Sequence, residues 1–136
     1  MIKIKIYTIG KTKETWLEEA LSEYHKRLTG EITIEWIIVK ELGPIKENSY
    51  ICLDPQGKQY TSTEFANFLE KESVEQGAKL IFVIGGPEGI PQEIKAKASQ
   101  MISFSKLTFT HQIARLILLE QLYRSVQIKR GTRYHK

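Results

Sequence analysis

Five apolar side chains in succession, Leu80-Ile81-Phe82-Val83-Ile84, follow Lys79 and run straight into Gly85-Gly86. A strand of this kind has no polar face to offer water. It must be covered on both sides, as the inner strands of a parallel sheet are. That requirement implies neighbouring strands at either edge and helices above and below.

The rest of the chain supplies them. Ile2, Ile4 and Ile6 alternate with Lys3, Lys5 and Tyr7, the period of a strand. Trp16, Leu17, Ala20, Leu21, Tyr24 and Leu28 recur at helical spacing and predict a helix over residues 14–28, with Gly30 as its stop. Ile32, Ile34, Trp36 and Ile38 mark a second strand, and residues 41–49, with Gly43 and Pro44, read as a loop. A short third strand covers residues 50–54, and Asp54-Pro55-Gln56-Gly57 is a turn signal. Thr61 and Glu64 form a capping box for a helix that turns Phe65, Phe68 and Leu69 inward and ends near Gly77. Pro91 suits the first turn of a short helix reaching about Ala98. A fifth strand over residues 101–105 and a long helix over residues 111–128 complete the series. Strands alternating with helices predict an α/β fold with a mainly parallel sheet flanked by helices. A length of 136 residues leaves room for one such domain, residues 1–136.

The last helix is apolar around nearly its whole circumference, through Ile113, Ala114, Leu116, Ile117, Leu118, Leu119, Leu122, Tyr123 and Val126. Such a helix is buried on all sides. In so small a domain this predicts a second subunit against one face, the alternative being a central core helix.

Charge and motifs narrow the chemistry. The net charge is +4. From Arg124 onward the chain carries Arg124, Lys129, Arg130, Arg133 and Lys136 with no acidic residue. That segment is either a solvated basic tail or a contact for a polyanion. Cys52, the one cysteine, lies in the apolar run Tyr50-Ile51-Cys52-Leu53. It reads as a buried small hydrophobe and fits a reducing cytoplasm. No stretch approaches the roughly 18 apolar residues of a membrane span, and the opening residues hold no apolar segment of the kind a secretion signal needs. His25, His111 and His135 are far apart in sequence, so no metal site is expected. The dinucleotide fingerprint, the phosphate-binding loop and the serine-hydrolase elbow are all absent.

In open parallel sheets ligands bind beyond the carboxyl ends of the strands. Three segments lie there: Leu53-Asp54, Gly85-Gly86-Pro87-Glu88-Gly89, and Phe104 to Phe109. Gly85 and Gly86, lacking Cβ, allow close approach of a ligand or a positive φ. Taken alone, the glycine segment reads as a tight turn, and His111 as a capping or surface histidine.

Read in order, the pieces resemble one family. Ile84 to Gly89, Ser103 to Phe109, His111-Gln112 with Arg115, Leu119-Glu120-Gln121-Leu122-Tyr123-Arg124, and Arg130-Gly131 with Tyr134-His135-Lys136 are similar to the RlmH family. These are ribosomal RNA (pseudouridine-N3) methyltransferases of the SPOUT superfamily. Gly10-Lys11 and the Tyr24-x-x-Arg27-Leu28 helix resemble the family's opening as well. The resemblance implies a trefoil knot in the carboxyl-terminal half, a rare exception to unknotted topology, and a homodimer. It implies S-adenosylmethionine held by Leu53, Gly85, Phe104, Ser105, Lys106, Leu107, Thr108 and Phe109. It implies His111, Tyr134 and His135 near the substrate, with His135 or Tyr134 assisting deprotonation. Arg124, Lys129, Arg130, Arg133 and Lys136 then read as RNA contacts, and the partner as 23S ribosomal RNA within the ribosome. Two departures stand out. The family usually carries a longer segment, with a helix, where this chain has residues 41–49, and Thr110 stands where relatives often have proline. A catalytically idle RNA-binding dimer and a transfer-RNA methyltransferase are the rival readings.

Overall fold

The computed structural model describes residues 1–134. A five-stranded sheet runs through the molecule, with strand β1 (Ile2–Ile9), β2 (Ile32–Val39), β3 (Ile51–Gln59), β4 (Lys79–Ile84) and β5 (Gln100–Ser103) in the order β2-β1-β4-β3-β5. Every pairing is parallel. The apolar run thus forms the central strand, with Ile6 opposite Phe82 on one side and Cys52 opposite Val83 on the other.

Helices α1 (Thr15–Leu28), α2 (Ser62–Glu75) and α4 (His111–Arg130) cover one face. Leu17 and Leu21 of α1, Phe65 and Leu69 of α2, and Leu118, Leu119 and Leu122 of α4 pack there against Ile4, Phe82 and Ile102. The short helix α3 (Gln92–Ala96) helps cover the other face, where Ile81 and Val83 meet Tyr50, Ile90 and Ile94. Both sides of β4 are therefore buried, as its sequence requires. The predicted capping box forms: Thr61 Oγ1 accepts from the Glu64 N–H at 3.1 Å, and the Glu64 carboxylate accepts from the Thr61 N–H at 2.8 Å.

The short 41–49 segment covers part of the sheet. Leu42 is buried and Ile45 packs with it over Val39, Ile81 and Val83. Glu47 accepts from the Tyr7 hydroxyl at 2.8 Å and pairs with Lys5 at 3.3 Å. These contacts occupy the polar side of β1 in place of a helix.

Two expectations need correction. Asp54 to Gly57 is not a turn that ends a strand. β3 continues to Gln59, and both Leu53 and Lys58 sit opposite Ile102, so the four residues between them bulge out of the ladder. Gly57 crosses the β5 backbone so closely that a Cβ there would lie 2.6 Å from the Met101 carbonyl carbon. Trp16 points outward and is 53% exposed, because Leu17 and Leu21 hold the inner face of α1. Helix α4 is not enclosed by its own chain: Leu118, Leu119 and Leu122 are buried, while Ile113, Leu116, Ile117 and Tyr123 are only half-buried. Among the described residues no helix is long and apolar enough to cross a membrane.

Candidate active site

The three segments expected to carry chemistry meet at the carboxyl ends of β3, β4 and β5. They close a cleft of ≈ 200 Å³. Leu53, Ile84 and Ile102 form carbon walls, and Gly85 and Phe104 flank them. Ser105, Leu107, Thr108 and Phe109 line it too, with His111 at the start of α4. Lys106 is the one residue of the 104–109 segment that does not line it.

Local rules shape these loops. Gly86 accepts from the Gly89 N–H at 2.9 Å, closing a four-residue turn with Pro87 second and Gly89 at φ +82°. Neither Gly85 nor Gly86 adopts a positive φ. Gly85 is demanded by its own turn, since a Cβ would lie 2.7 Å from the Gly89 carbonyl carbon and 2.8 Å from the Ile90 nitrogen. In the next loop, Ser103 Oγ donates to the Ser105 carbonyl at 2.8 Å and accepts from the Ser105 N–H at 3.2 Å, while Ser105 Oγ accepts from the Leu107 N–H at 3.0 Å. These hydroxyl turns set the loop's path without proline. Thr110 caps α4, its hydroxyl accepting from the Ile113 N–H at 3.2 Å. A threonine here thus starts the helix as well as shaping the turn.

Sequence reasoning gave no role to four residues. Asp54 and Pro55, placed in a turn, line the cleft through the β3 bulge. The Asp54 carboxylate accepts from the Gln56 N–H at 2.9 Å and faces Lys95 of α3 at 3.6 Å. Arg115 is 1% exposed. Its guanidinium donates to Thr12 Oγ1 at 2.9 Å, to the Ile9 carbonyl at 2.8 Å and to the Gly10 carbonyl at 2.6 Å. Gln112 grips the same loop, accepting from the Lys13 N–H at 3.2 Å and donating to the Lys11 carbonyl at 3.1 Å. A lone arginine inside an apolar helical run was the available signal, because such a charge is seldom buried without purpose.

His111 is half-buried. Burial pushes its pKa below the ordinary histidine value, and the positive charges of Arg115 and Lys13 push it further the same way. These causes favour the neutral imidazole.

Tyr134 lies elsewhere. Its hydroxyl donates to Glu120 at 2.7 Å, its ring meets Tyr123 edge-on at 4.7 Å, and Arg124 sits 4.9 Å over its face. Burial raises the pKa of the phenol strongly, and the bond to Glu120 raises it more. The nine residue steps from His111 to Glu120 separate the two sites by about 13 Å along α4. His135 and Lys136 fall outside the described residues. Of the basic residues, Arg124 pairs with Glu120 at 3.1 Å, Lys129 with Glu70 and Arg130 with Glu31, while Arg133 is exposed.

With this geometry in place, comparison with known proteins is decisive. A family model described as a predicted SPOUT methyltransferase matches residues 2–135. The chain belongs to this family. A protein of Protochlamydia amoebophila named "Ribosomal RNA large subunit methyltransferase H" is 48% identical over 141 residues, covering all of both chains. Proteins of the same name from Coprothermobacter proteolyticus (41% identical, 99% of this chain and 100% of that one) and Clostridium acetobutylicum (38%, 99% and 100%) are similar along their length. The first two alignments span 141 and 139 positions against 159 for the third, so proteins of about this chain's length also bear that name. Among solved structures, a probable methylase family protein from Haemophilus influenzae shares the fold, with a TM-score of 0.60 over 99% of this chain and 70% of that one at 10% identity.

Proposed function

We propose that this SPOUT methyltransferase methylates N3 of a pseudouridine in 23S ribosomal RNA, within the assembled ribosome in the cytoplasm, using S-adenosylmethionine. Relatives that match end to end are named for methylation of large-subunit ribosomal RNA. The observation that carries the reading is the convergence of the segments at Leu53, Gly85 and residues 104–109 on one cleft at the carboxyl edge of the sheet.

The cleft suits that cofactor. Leu53, Ile84, Ile102 and Phe104 offer carbon surface for an adenine ring, while Asp54 and Ser105 offer polar atoms for its ribose and amino-acid groups. When bound, S-adenosylmethionine supplies an electrophilic methyl group whose departure leaves a neutral thioether. The chain's own residues must position the base and take the N3 proton. Tyr134 is poorly suited to that second task, since its hydroxyl is a donor with a strongly raised pKa. The reading assigns proton acceptance to His135, places Tyr134 and Arg124 as walls for the base, and gives Arg133 and Lys136 the phosphates.

A homodimer completes the site. One chain holds Tyr134 about 13 Å along α4 from its own His111, so the tail serves the cleft of a second copy. The half-buried Ile113, Leu116 and Ile117 and the exposed Phe109 supply the apolar face for that copy. The trefoil knot belongs to the same proposal. Titration calorimetry with S-adenosylmethionine tests the cofactor reading. One or two sites per dimer are expected, with binding lost in Gly85→Leu; a chain that binds none is the idle RNA-binding module instead.

A further inference from the structure

The hydrogen bonds around Gln112 determine which way its amide faces. Of the two ends of a primary amide, a backbone N–H can donate only to the oxygen, and a backbone carbonyl can accept only from the nitrogen. The Lys13 N–H therefore holds the amide oxygen, and the Lys11 carbonyl holds the amide nitrogen. That nitrogen has a second hydrogen, and His111 Nε2 lies 3.3 Å from it. Facing a donor, Nε2 must be the acceptor, so it carries no proton. In a neutral imidazole the proton then sits on Nδ1.

The geometry points to Gln112 as a positioning residue that sets His111 in its Nδ1–H form, so that His111 meets the substrate as a hydrogen-bond donor to oxygen and not as the proton acceptor. The inference rests on the methyltransferase reading above and adds a role to it. The ring nitrogen to be methylated lies between two carbonyl groups. When its proton leaves, the negative charge spreads onto their oxygens. A neutral N–H fixed beside one of them stabilises that charge without having to give up its proton.

The surroundings support a donor that stays neutral. Arg115 from the same helix and Lys13 from the loop after β1 act on His111, and both are positive. Across the cleft the one carboxylate, Asp54, is paired with Lys95. No described residue accepts a hydrogen bond from His111 Nδ1. Gln112 is itself held at both ends of its amide by the loop that Arg115 anchors, so its orientation is built in before any ligand arrives.

The test is direct and needs no ligand. In protein labelled with 15N-histidine, long-range proton–nitrogen correlation spectra report the tautomer of each imidazole, and His111→Asn identifies the His111 signals. The wild type should show His111 neutral with the proton on Nδ1 at pH 7.5. In Gln112→Glu the amide donor becomes an acceptor, and the proton should move to Nε2. That variant should also bind S-adenosylmethionine within about twofold of wild type while turnover drops on the order of tenfold or more, the usual cost of losing an orienting partner. A purely structural Gln112 would lower the melting temperature and leave the tautomer alone. A wild-type His111 protonated on Nε2, or a Gln112→Glu spectrum still showing Nδ1–H, overturns the inference. If the tautomers behave as stated but no methyl transfer to ribosomes occurs, the functional reading fails and the assignment of the proton stands.

Discussion

Arg115, in the first turns of α4, donates to the backbone carbonyl of Gly10, at the end of β1, across 2.6 Å. No carboxylate stands among its hydrogen-bond partners, which are two carbonyls and the Thr12 hydroxyl. A buried charge so held ties the start of the last helix to the first strand, more than 100 residues away. Removing it leaves three part-buried oxygens without their donor and a cavity where a side chain 1% exposed had been. Arg115→Ala should destabilise the fold by about 3 kcal/mol, since each unsatisfied buried acceptor costs about 1–3 kcal/mol and neighbouring losses overlap. Urea unfolding checks this; a loss under half a kcal/mol contradicts it. Arg115→Lys should recover only part, because an ammonium lacks the planar fork that reaches three acceptors.

Gly57 touches the backbone of Met101 and Ile102, where a Cβ has no flexible side chain to push aside. Gly57→Ala should cost about 1–3 kcal/mol through overpacking. It should also weaken cofactor binding, because the Asp54–Gly57 bulge forms part of the cleft wall. Gly43 is the control, with open space around it and no positive φ. Gly43→Ala should be neutral or stabilising by up to about 1 kcal/mol. Thermal unfolding of both proteins decides the matter, and equal costs would contradict the close approach.

The short 41–49 segment makes a pH prediction through Glu47. Its carboxyl pKa is lowered, first by the hydrogen bond from Tyr7, and Lys5 lowers it as well although burial opposes them. The same contact, with burial as the larger cause, pushes the Tyr7 phenol up to about 12. A carboxylate whose folded pKa is depressed adds stability above its unfolded pKa, and that stability is lost as pH falls through the folded value. Glu47→Gln should therefore be less stable than wild type at pH 7 by about 1–2 kcal/mol, the worth of a charge-assisted hydrogen bond. The gap should close as the pH is lowered from the ordinary glutamate range through the depressed value. Unfolding curves across that range check it, and a gap independent of pH would refute the ionic contribution.

Arg133 gives a prediction about RNA. It is exposed, whereas Lys129 and Arg130 are already engaged by Glu70 and Glu31. Arg133→Ala should weaken ribosome binding and reduce the slope of log affinity against log salt by about one. Glu31→Gln should strengthen binding by releasing Arg130. Binding measured at several salt concentrations separates these outcomes, and an unchanged slope would remove Arg133 from the contact.

Much of the fold was legible because its signals are local. The apolar run of β4 and the Thr61–Glu64 capping box each carry their structure in a few adjacent residues. Asp54-Pro55-Gln56-Gly57 misled because its residues favour a turn in isolation. Pairing with Ile102 on both sides converts that turn into a bulge, a choice made by β5 more than 40 residues away. Trp16 has helical spacing but sits on the outer side of a narrow apolar stripe, and spacing alone does not set the stripe's width. The cleft was legible through the rule that ligands gather at strand carboxyl ends, together with the family motifs. The Arg115 and Gln112 contacts were not, because both reach a loop some 100 residues away.

The most direct test of the account is transfer of labelled methyl from S-adenosylmethionine to intact ribosomes, followed by digestion to nucleosides and mass spectrometry. The label should appear in 23S RNA as N3-methylpseudouridine, fall at least a hundredfold with His135→Ala, and be absent from transfer RNA offered in parallel. Label recovered in transfer RNA, in another nucleoside, or in no RNA at all would contradict it.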